Sequence, residues 1–369
     1  MKYIFSLLAV ALILVGCDSD SGSGGANNDG YDRSLILANL ADNIIIPAYE
    51  DFGADITALK SAAESFVATP DQTNLNVLRT AWFEAYKTWQ YVAMYDLGKA
   101  YEVQLGYQMN VFPTSVEEIE SNVNTGTYDL GHSNNHDAVG FPALDYLLYG
   151  VATDEASILA KYTTDPLAEN YQDYLIDLVN RMDELTQPVV ANWPNYRNEF
   201  VSNDGNTINS SLNKVMNDYI AFYETGLRKN KIGYPAGVWT TSTYPEKVEG
   251  YYSGTYSKEL ALVALKAVED VFNGNHYNEN GTGESLKTYL DYLNEIKNGT
   301  DLSVLINNQF TISKDKINVL NDNFFTQIST NNTLMLEAYD ELQKNVILMK
   351  VDMLQSFNIS VDYVDSDGD

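Results

Sequence analysis

Residues 75–92, LNVLRTAWFEAYKTWQYV, carry the pattern that decides the fold class. The apolar positions of this stretch alternate steps of three and four: Leu75, Leu78, Trp82, Ala85, Trp89 and Val92. Such steps place side chains on one face of an α-helix, because the helix repeats every 3.6 residues. The stretch therefore predicts an amphipathic helix with one face in a core.

The same spacing recurs on both sides of this stretch. It is found at Ile56, Leu59, Ala63 and Phe66 upstream, and at positions such as Leu175, Leu178, Met182, Leu185, Leu286, Tyr289, Leu293 and Ile296 downstream. No segment of comparable length alternates with the period of two that is typical of strands. We predict an all-α protein.

Two stretches, residues 98–140 and 228–256, break the helical pattern at similar positions along the two halves of the sequence. Both are rich in Gly, Pro, Tyr, Asn and Thr, and both are longer than ordinary helix connections. They predict two helical bundles, each interrupted by an irregular crossover segment. We place the boundary near 187–206, where Pro188 and Pro194 interrupt the pattern, and assign 31–190 and 191–369 to the two domains.

The first 17 residues predict a lipoprotein signal peptide. A charge at Lys2 and an apolar segment over 3–15 precede LVGC, residues 14–17, which resembles a lipobox. Cys17 is the only cysteine, so an intramolecular disulfide is excluded and lipidation of Cys17 is expected. An ordinary secretory signal is the alternative. Residues 18–30 then form a flexible tether, and we expect attachment to the cell envelope, at the outer rather than the inner membrane.

The net charge of the chain restricts the classes of partner that the protein is expected to bind. The chain has 51 acidic and 22 basic residues, a net charge of -29. Nucleic acids and anionic lipids require Lys and Arg to neutralise phosphate, so neither is an expected partner.

Metal-ligating residues are sparse. His132 and His136 are four residues apart, which on a helix would direct both imidazoles toward one metal, with Asp137 as a third ligand. The alternative is solvated or capping histidines in a loop. His276 and Glu279 lie among turn-forming residues, which disfavours a catalytic His-x-x-Glu helix. The terminal DSDGD, residues 365–369, begins like a calcium loop but lacks the closing Glu.

Several ordered segments resemble the imelysin-like family of bacterial lipoproteins. NIIIPAYEDF and LRTAWFEAYKTWQYVAMYDLG are similar to its early helices, and GFPALDYLLYG, residues 140–150, resembles its Gly-x-His-x-x-Glu signature. ETGLRKNKIGYP with YYSGTYSKEL is similar to the signature of the second half. The resemblance covers most of the mature chain.

This resemblance implies two similar four-helix-bundle domains with a functional site at their interface. The family was first grouped with metallopeptidases and is now linked more often to iron uptake. The chain departs from the family pattern where metal chemistry would lie. Pro142 replaces the signature His and Asp145 the signature Glu, while Tyr86 and Ala93 stand where many members carry Arg and Glu.

We therefore predict a non-catalytic, lipid-anchored binding protein linked to iron uptake, with no catalytic residue. The expected ligand-binding residues are Asp145, Trp82, Tyr86, Arg228, Tyr252 and Ser253. Iron or another divalent metal is a conceivable cofactor, with Asp145, His132 and His136 as its ligands. One alternative is an imelysin-type metallopeptidase, which needs a metal with an open position and a general base. Another is a repurposed lipoprotein that binds a non-metal ligand or an envelope protein.

Overall fold

Helices make up most of the computed structural model, which describes residues 29–363. The first half contains α1 Arg33–Asn39, α2 Ile46–Ala68, α3 Gln72–Val92, α4 Lys99–Glu102, α5 Leu105–Met109, α6 Val116–Thr125, α7 Gly140–Asp145, α8 Glu155–Lys161 and α9 Ala168–Ser202. The second half contains α10 Ser211–Ala221, α11 Ser257–Asn273, α12 Leu286–Leu293, α13 Leu302–Asn318, α14 Phe324–Val346 and α15 Leu354–Ser356. The predicted all-α class is confirmed.

Wider and tighter helical turns complete the chain. π-Helical segments occupy Leu40–Ile45, Tyr146–Gly150, Phe222–Gly233 and Ile347–Met353, and 3₁₀ turns occupy Ser133–Ala138 and Pro245–Lys247. A two-residue antiparallel pair, β1 Ile296–Lys297 and β2 Thr300–Asp301, precedes α13. Two of the π-helical segments, Tyr146–Gly150 and Phe222–Gly233, contribute residues to the buried site described below.

The apolar stripe of α3 faces the core as predicted. Asp71 caps the helix by accepting a hydrogen bond from the Asn74 N–H at 2.8 Å, which satisfies one of the free donors at its start. The six stripe residues are at most 3% exposed. On one side α3 packs against α2, and on the other it packs against α11 of the second half. Helix α3 therefore links the two halves of the molecule.

The remaining packing follows the order of the chain. In the first half, α2 packs between α3 and α9; in the second half, α13 and α14 pack together, and α11 packs on α13. The Phe222–Gly233 segment packs against α14. Buried apolar residues from both halves belong to one cluster. Burial of this size is the main favourable contribution to folding.

Helix α9 runs through the predicted domain boundary. Pro188 and Pro194 both lie inside this 35-residue helix, so the expectation that they interrupt the helical pattern is wrong. Both prolines lie on the exposed face, where water can bind the carbonyl groups that lose their N–H partners. The chain leaves the helix only after Ser202. The assignment of 31–190 and 191–369 to separate domains stays a prediction.

Two local predictions also differ from the structure. The stretch 98–140 contains α4, α5 and α6, and α6 has signals that the interpretation missed: Ser115 at its N-cap and Gly126, with φ of 60°, at its C-cap. The stripe predicted to include Ile296 ends earlier, because Asn294 adopts a left-handed conformation with φ of 53° and terminates α12. Ile296 lies in β1 and is 57% exposed.

Candidate functional site

The short helix α7 begins where two backbones meet closely. Gly140 has φ of 72°, and a Cβ added there would lie 2.2 Å from the Met109 carbonyl oxygen at the end of α5. Only glycine tolerates this contact. Pro142 lies in the first turn of α7, where its missing N–H costs little. Trp82 of α3 donates its indole N–H to the Phe141 carbonyl at 3.1 Å and fixes α7 against α3.

Asp145 is the last residue of α7 and is 2% exposed. Its two carboxylate oxygens accept backbone N–H groups from the second half, Tyr252 at 2.8 Å and Ser253 at 2.9 Å. Burial raises the pKa of Asp145 to about 6, although these two N–H groups act in the opposite direction. Asp145 lies beyond the first turn of α7, so the dipole at the start of that helix does not favour its charge.

A second chain of hydrogen bonds crosses between the halves beside Asp145. Tyr86 of α3 donates its hydroxyl to the Asn110 side-chain oxygen at 2.6 Å, and the Asn110 amide donates to Glu249 at 2.8 Å. Glu249 forms an ion pair with Lys231, and both side chains are at most 3% exposed. The chain of contacts therefore runs from a first-half helix to a buried ion pair in the second half.

Burial is the main cause of the pKa shifts in this network. Burial raises the pKa of Tyr86 well above its usual range, and the charges of Glu249 and Asp145 act in the same direction. Burial lowers the pKa of Lys231, while its contact with Glu249 opposes that shift. A buried ion pair costs several kcal/mol of desolvation per ion, so its partners must stay matched. The site can therefore hold charge, but the charged groups of Asp145, Lys231 and Glu249 are all buried.

Aromatic rings enclose the network on the first-half side. Tyr86 stacks on Phe141 at 4.5 Å with an interplanar angle of 6°. Trp82 contacts Tyr149 at 5.6 Å and Tyr256 at 5.9 Å between ring centroids. The structure thus brings five of the six predicted ligand-binding residues together: Trp82, Tyr86, Asp145, Tyr252 and Ser253. Whether they contact a ligand stays a prediction.

Arg228 lies in a different environment from the other predicted residues. It donates to Tyr339 and Gln343 of α14 and lies 3.4 Å from Glu224. Lys231, one helical turn further along the same π-helical segment, is the basic residue that reaches the network. Sequence reasoning missed Lys231, Glu249 and Asn110. Asn110 and Glu249 each carried one weak signal, a polar residue between apolar or glycine neighbours in an irregular stretch, whereas Lys231, which follows Asn230, carried none.

The predicted metal ligands do not converge. His132 is exposed and accepts the Asn134 N–H at 3.2 Å through Nδ1, and His136 stacks on Tyr107 with centroids 5.6 Å apart. Neither is a partner of Asp145. Within residues 29–363, no group of three or more His, Cys, Asp or Glu side chains is arranged to hold a metal ion. His276 and Glu279 lie in a loop, as the turn-forming residues predict.

Two predictions fall outside the described residues, lipidation at Cys17 and the incomplete calcium loop at 365–369. In the part of the chain that the structure describes, no helix is both long and apolar enough to cross a membrane.

Comparison with known proteins places the whole arrangement in one family. The Imelysin family model (Peptidase M75) matches residues 45–348, which is most of the chain. This chain belongs to the imelysin family. The predicted resemblance is therefore confirmed.

Two solved structures share the imelysin fold seen here. An imelysin-like protein from Psychrobacter arcticum 273-4 superposes with a TM-score of 0.69 at 15% identity, covering 90% of this chain and 97% of that one. A candidate iron-regulated protein A precursor from Parabacteroides distasonis ATCC 8503 gives a TM-score of 0.71 at 20% identity, with the same coverage. At these identities the likeness concerns the fold alone.

A curated imelysin relative matches over a shorter region. Iron-regulated protein A of Synechococcus elongatus (strain ATCC 33912 / PCC 7942 / FACHB-805) is 22% identical over 183 residues, 47% of each chain. The chain thus spans about half the length of this curated relative.

The residues at the imelysin signature position do not fit a resident metal. Pro142 has no nitrogen donor for a metal, and both Asp145 oxygens already accept backbone N–H groups. A catalytic metal needs three or more convergent ligands and an open position for water or substrate. We therefore derive no chemistry through a metal held by these side chains.

Proposed function

We propose that this chain is a non-catalytic, lipid-anchored envelope protein of the imelysin family that serves iron acquisition as a binding protein. One observation carries the non-catalytic part of the proposal. The buried charged groups of the site already have partners within the protein. Asp145 accepts two backbone N–H groups, and Lys231 forms an ion pair with Glu249. A hydrolase would need its base and its metal ligands directed toward an accessible substrate position.

The link to iron rests on the relatives. Two of the similar proteins carry the name iron-regulated protein A, and one of these is described as a precursor. The apolar segment at 3–15 followed by LVGC supports export and attachment at Cys17. Iron itself would then be handled through a ligand or a partner protein, because the described side chains do not form a metal-ion site.

Iron-dependent expression and membrane attachment test this proposal together. Cells of the source organism are grown with and without the iron chelator 2,2′-bipyridyl, and the protein is quantified by immunoblot in membrane and soluble fractions. We expect a several-fold rise under chelation, with the protein in the membrane fraction. Cys17→Ser should move the protein out of that fraction without changing its response to iron.

A protease assay tests the metallopeptidase alternative. The purified chain is incubated with casein in the presence and absence of EDTA, with a known metalloprotease as a positive control. Casein cleavage that EDTA abolishes would support the metallopeptidase alternative. Unchanged protein levels under chelation would contradict the link to iron.

A further inference from the structure

A cleft lies next to the buried network and is built from two adjoining cavities. The first, about 610 Å³, includes Asn110 in its lining, and the second is about 770 Å³. They share Asp96, Tyr101 and Glu102. Cavities of this size suit small organic ligands. Asn110 connects the cleft to the network, because the same side chain contacts Tyr86 and Glu249.

The first cavity is lined by aromatic rings. Tyr49, Trp89 and Tyr95 are at most 3% exposed and form its floor. Tyr101 and Tyr107 are 67% and 60% exposed and stand at its rim. Aromatic faces attract cations and pack against flat or aliphatic bodies. This half of the cleft therefore favours a ligand with an apolar body.

The second cavity is acidic. Asp96, Glu199, Asp218 and Asp362 all contribute to its lining. Asp96 donates its backbone N–H to Asp218 at 3.1 Å, which holds the two residues side by side. Burial raises the pKa of Asp218 to about 8, and the charges of Asp96 and Asp362 add to the shift. The positive charge near the Asp218 carboxyl is thus too small to offset its burial and its acidic neighbours.

Basic residues compensate little of this negative charge. Among the described residues that line the cleft, Lys214 is the only basic one. Lys99 lies outside the lining and forms an exposed ion pair with Glu102 at 2.8 Å, and exposed pairs of this kind are weak. An anionic ligand would be repelled. A metal ion is also disfavoured, since no trio of carboxylates in residues 29–363 is arranged to hold one.

We propose that this cleft binds an extended organic cation, such as a polyamine, with its apolar body against Tyr101 and Trp89 and its charge beside Asp96 and Asp218. The inference rests on the proposed binding function and assigns a class of ligand to it. The cation would pair with Asp96 and displace the proton that the raised pKa leaves on much of Asp218 at neutral pH, while the aromatic rim adds cation–π attraction.

Calorimetric titration of the full-length chain in detergent tests the proposal. The probes are spermidine, the aromatic cation benzyltrimethylammonium, the neutral sugar trehalose and the anion citrate, all at pH 7.5 and 150 mM NaCl. We expect saturable binding of one molar equivalent of spermidine, weaker binding of benzyltrimethylammonium, and no binding of trehalose or citrate. This salt concentration screens attraction to the general acidic surface.

Variants identify the cleft as the binding site. Asp96→Asn combined with Asp218→Asn should weaken spermidine binding at least tenfold, and Tyr101→Ala should weaken it about twofold to fivefold. The matched control, Asp173→Asn with Asp315→Asn, replaces two carboxyl groups on exposed helical surface and should leave binding unchanged. Equal losses in both double variants would show nonspecific attraction and overturn the proposal.

Two further outcomes would also overturn it: no saturable spermidine binding, or trehalose binding that matches spermidine binding. The expression test of the proposed function does not involve the cleft. Cation binding without an iron response would contradict only the iron link, and an iron response without cation binding would contradict only the assigned ligand.

Discussion

At the scale of single residues, Asp145 combines opposing influences on one carboxyl group. Burial disfavours its charged form, whereas the N–H groups of Tyr252 and Ser253 stabilise it, and the net effect is a pKa raised to about 6. The folded chain therefore binds more protons than the unfolded chain between about pH 4 and pH 6. In that range, the contribution of Asp145 to the free energy of unfolding decreases as the pH rises.

Asp145→Asn tests this balance. Asparagine offers one acceptor and sets an amide N–H against the second backbone donor, so we expect a loss of about 1 to 3 kcal/mol at pH 5. The deficit relative to wild type should shrink by about 2 kcal/mol between pH 4 and pH 7, because only the wild type has the Asp145 carboxyl, whose stabilising proton is lost over this range. Urea unfolding at each pH measures both quantities.

A surface control separates this effect from general acid titration. Asp315→Asn changes an exposed residue of α13 and should reproduce the wild-type pH profile within about 0.5 kcal/mol. A deficit of Asp145→Asn that stays constant or grows with pH would contradict the assigned protonation of Asp145.

Prediction at the residue scale was uneven for a physical reason. Gly140 was predictable because a tight backbone approach restricts the residue to glycine, and the structure shows that approach. Arg228 lies against α14 rather than in the network, and its role in ligand binding stays a prediction, because a sequence does not show which way a charged side chain on a helix points. The π-helical winding of Phe222–Gly233 changes that direction, and Lys231 reaches Glu249 instead.

At the scale of elements, the position of α7 depends on its first residue. Gly140→Ala adds a Cβ where the Met109 carbonyl oxygen would be 2.2 Å away, and it imposes a left-handed φ on alanine. We expect a loss of about 3 kcal/mol or more in the free energy of unfolding, because backbone atoms must move. The Trp82 hydrogen bond to Phe141 should weaken at the same time, which tryptophan fluorescence would report.

Gly106→Ala is the matched control in the neighbouring helix. An added Cβ at Gly106 meets no atom within 4 Å, and the residue lies inside α5. Alanine favours a helix more than glycine does, so we expect a small gain of up to about 1 kcal/mol. Equal effects of the two substitutions would contradict the close approach at Gly140.

Element positions followed from the sequence where packing and local signals agreed. The stripe of α3 is buried throughout, because its apolar spacing and the cap at Asp71 both indicate a helix. Pro188 and Pro194 misled the prediction, since tertiary packing of α9 on α2 outweighs the bonds that two exposed prolines remove. The cost of a proline in a helix depends on its exposure, which the sequence pattern alone did not show.

At the scale of the whole molecule, the site exists only when the two halves meet. Tyr86, Asn110 and Asp145 come from the first half, whereas Lys231, Glu249 and Ser253 come from the second. The family resemblance predicted a site at such a meeting, but it could not predict the Lys231–Glu249 pair. Lys231 and Glu249 are 18 residues apart within one irregular stretch, and their pairing depends on three-dimensional packing that no local pattern encodes.

The two members of the buried pair, both in the second half, should stabilise the folded chain in a strongly non-additive way. Lys231→Met leaves the Glu249 carboxylate buried without its cation, and Glu249→Gln leaves the Lys231 ammonium without its anion. We expect each change to cost about 3 to 5 kcal/mol. The double variant should recover most of this loss, because methionine and glutamine are neutral and Asn110 can still donate to the glutamine oxygen.

A double-mutant cycle by urea unfolding measures the coupling between the two residues, which these costs place at about 4 to 8 kcal/mol. The exposed pair Lys287–Asp291 of α12, 38% and 41% exposed, provides the comparison. Its cycle, made with Lys287→Met and Asp291→Asn, should give less than about 1 kcal/mol because water screens both charges. If the two cycles gave the same small coupling, burial would not strengthen the Lys231–Glu249 pair, and the prediction would be contradicted.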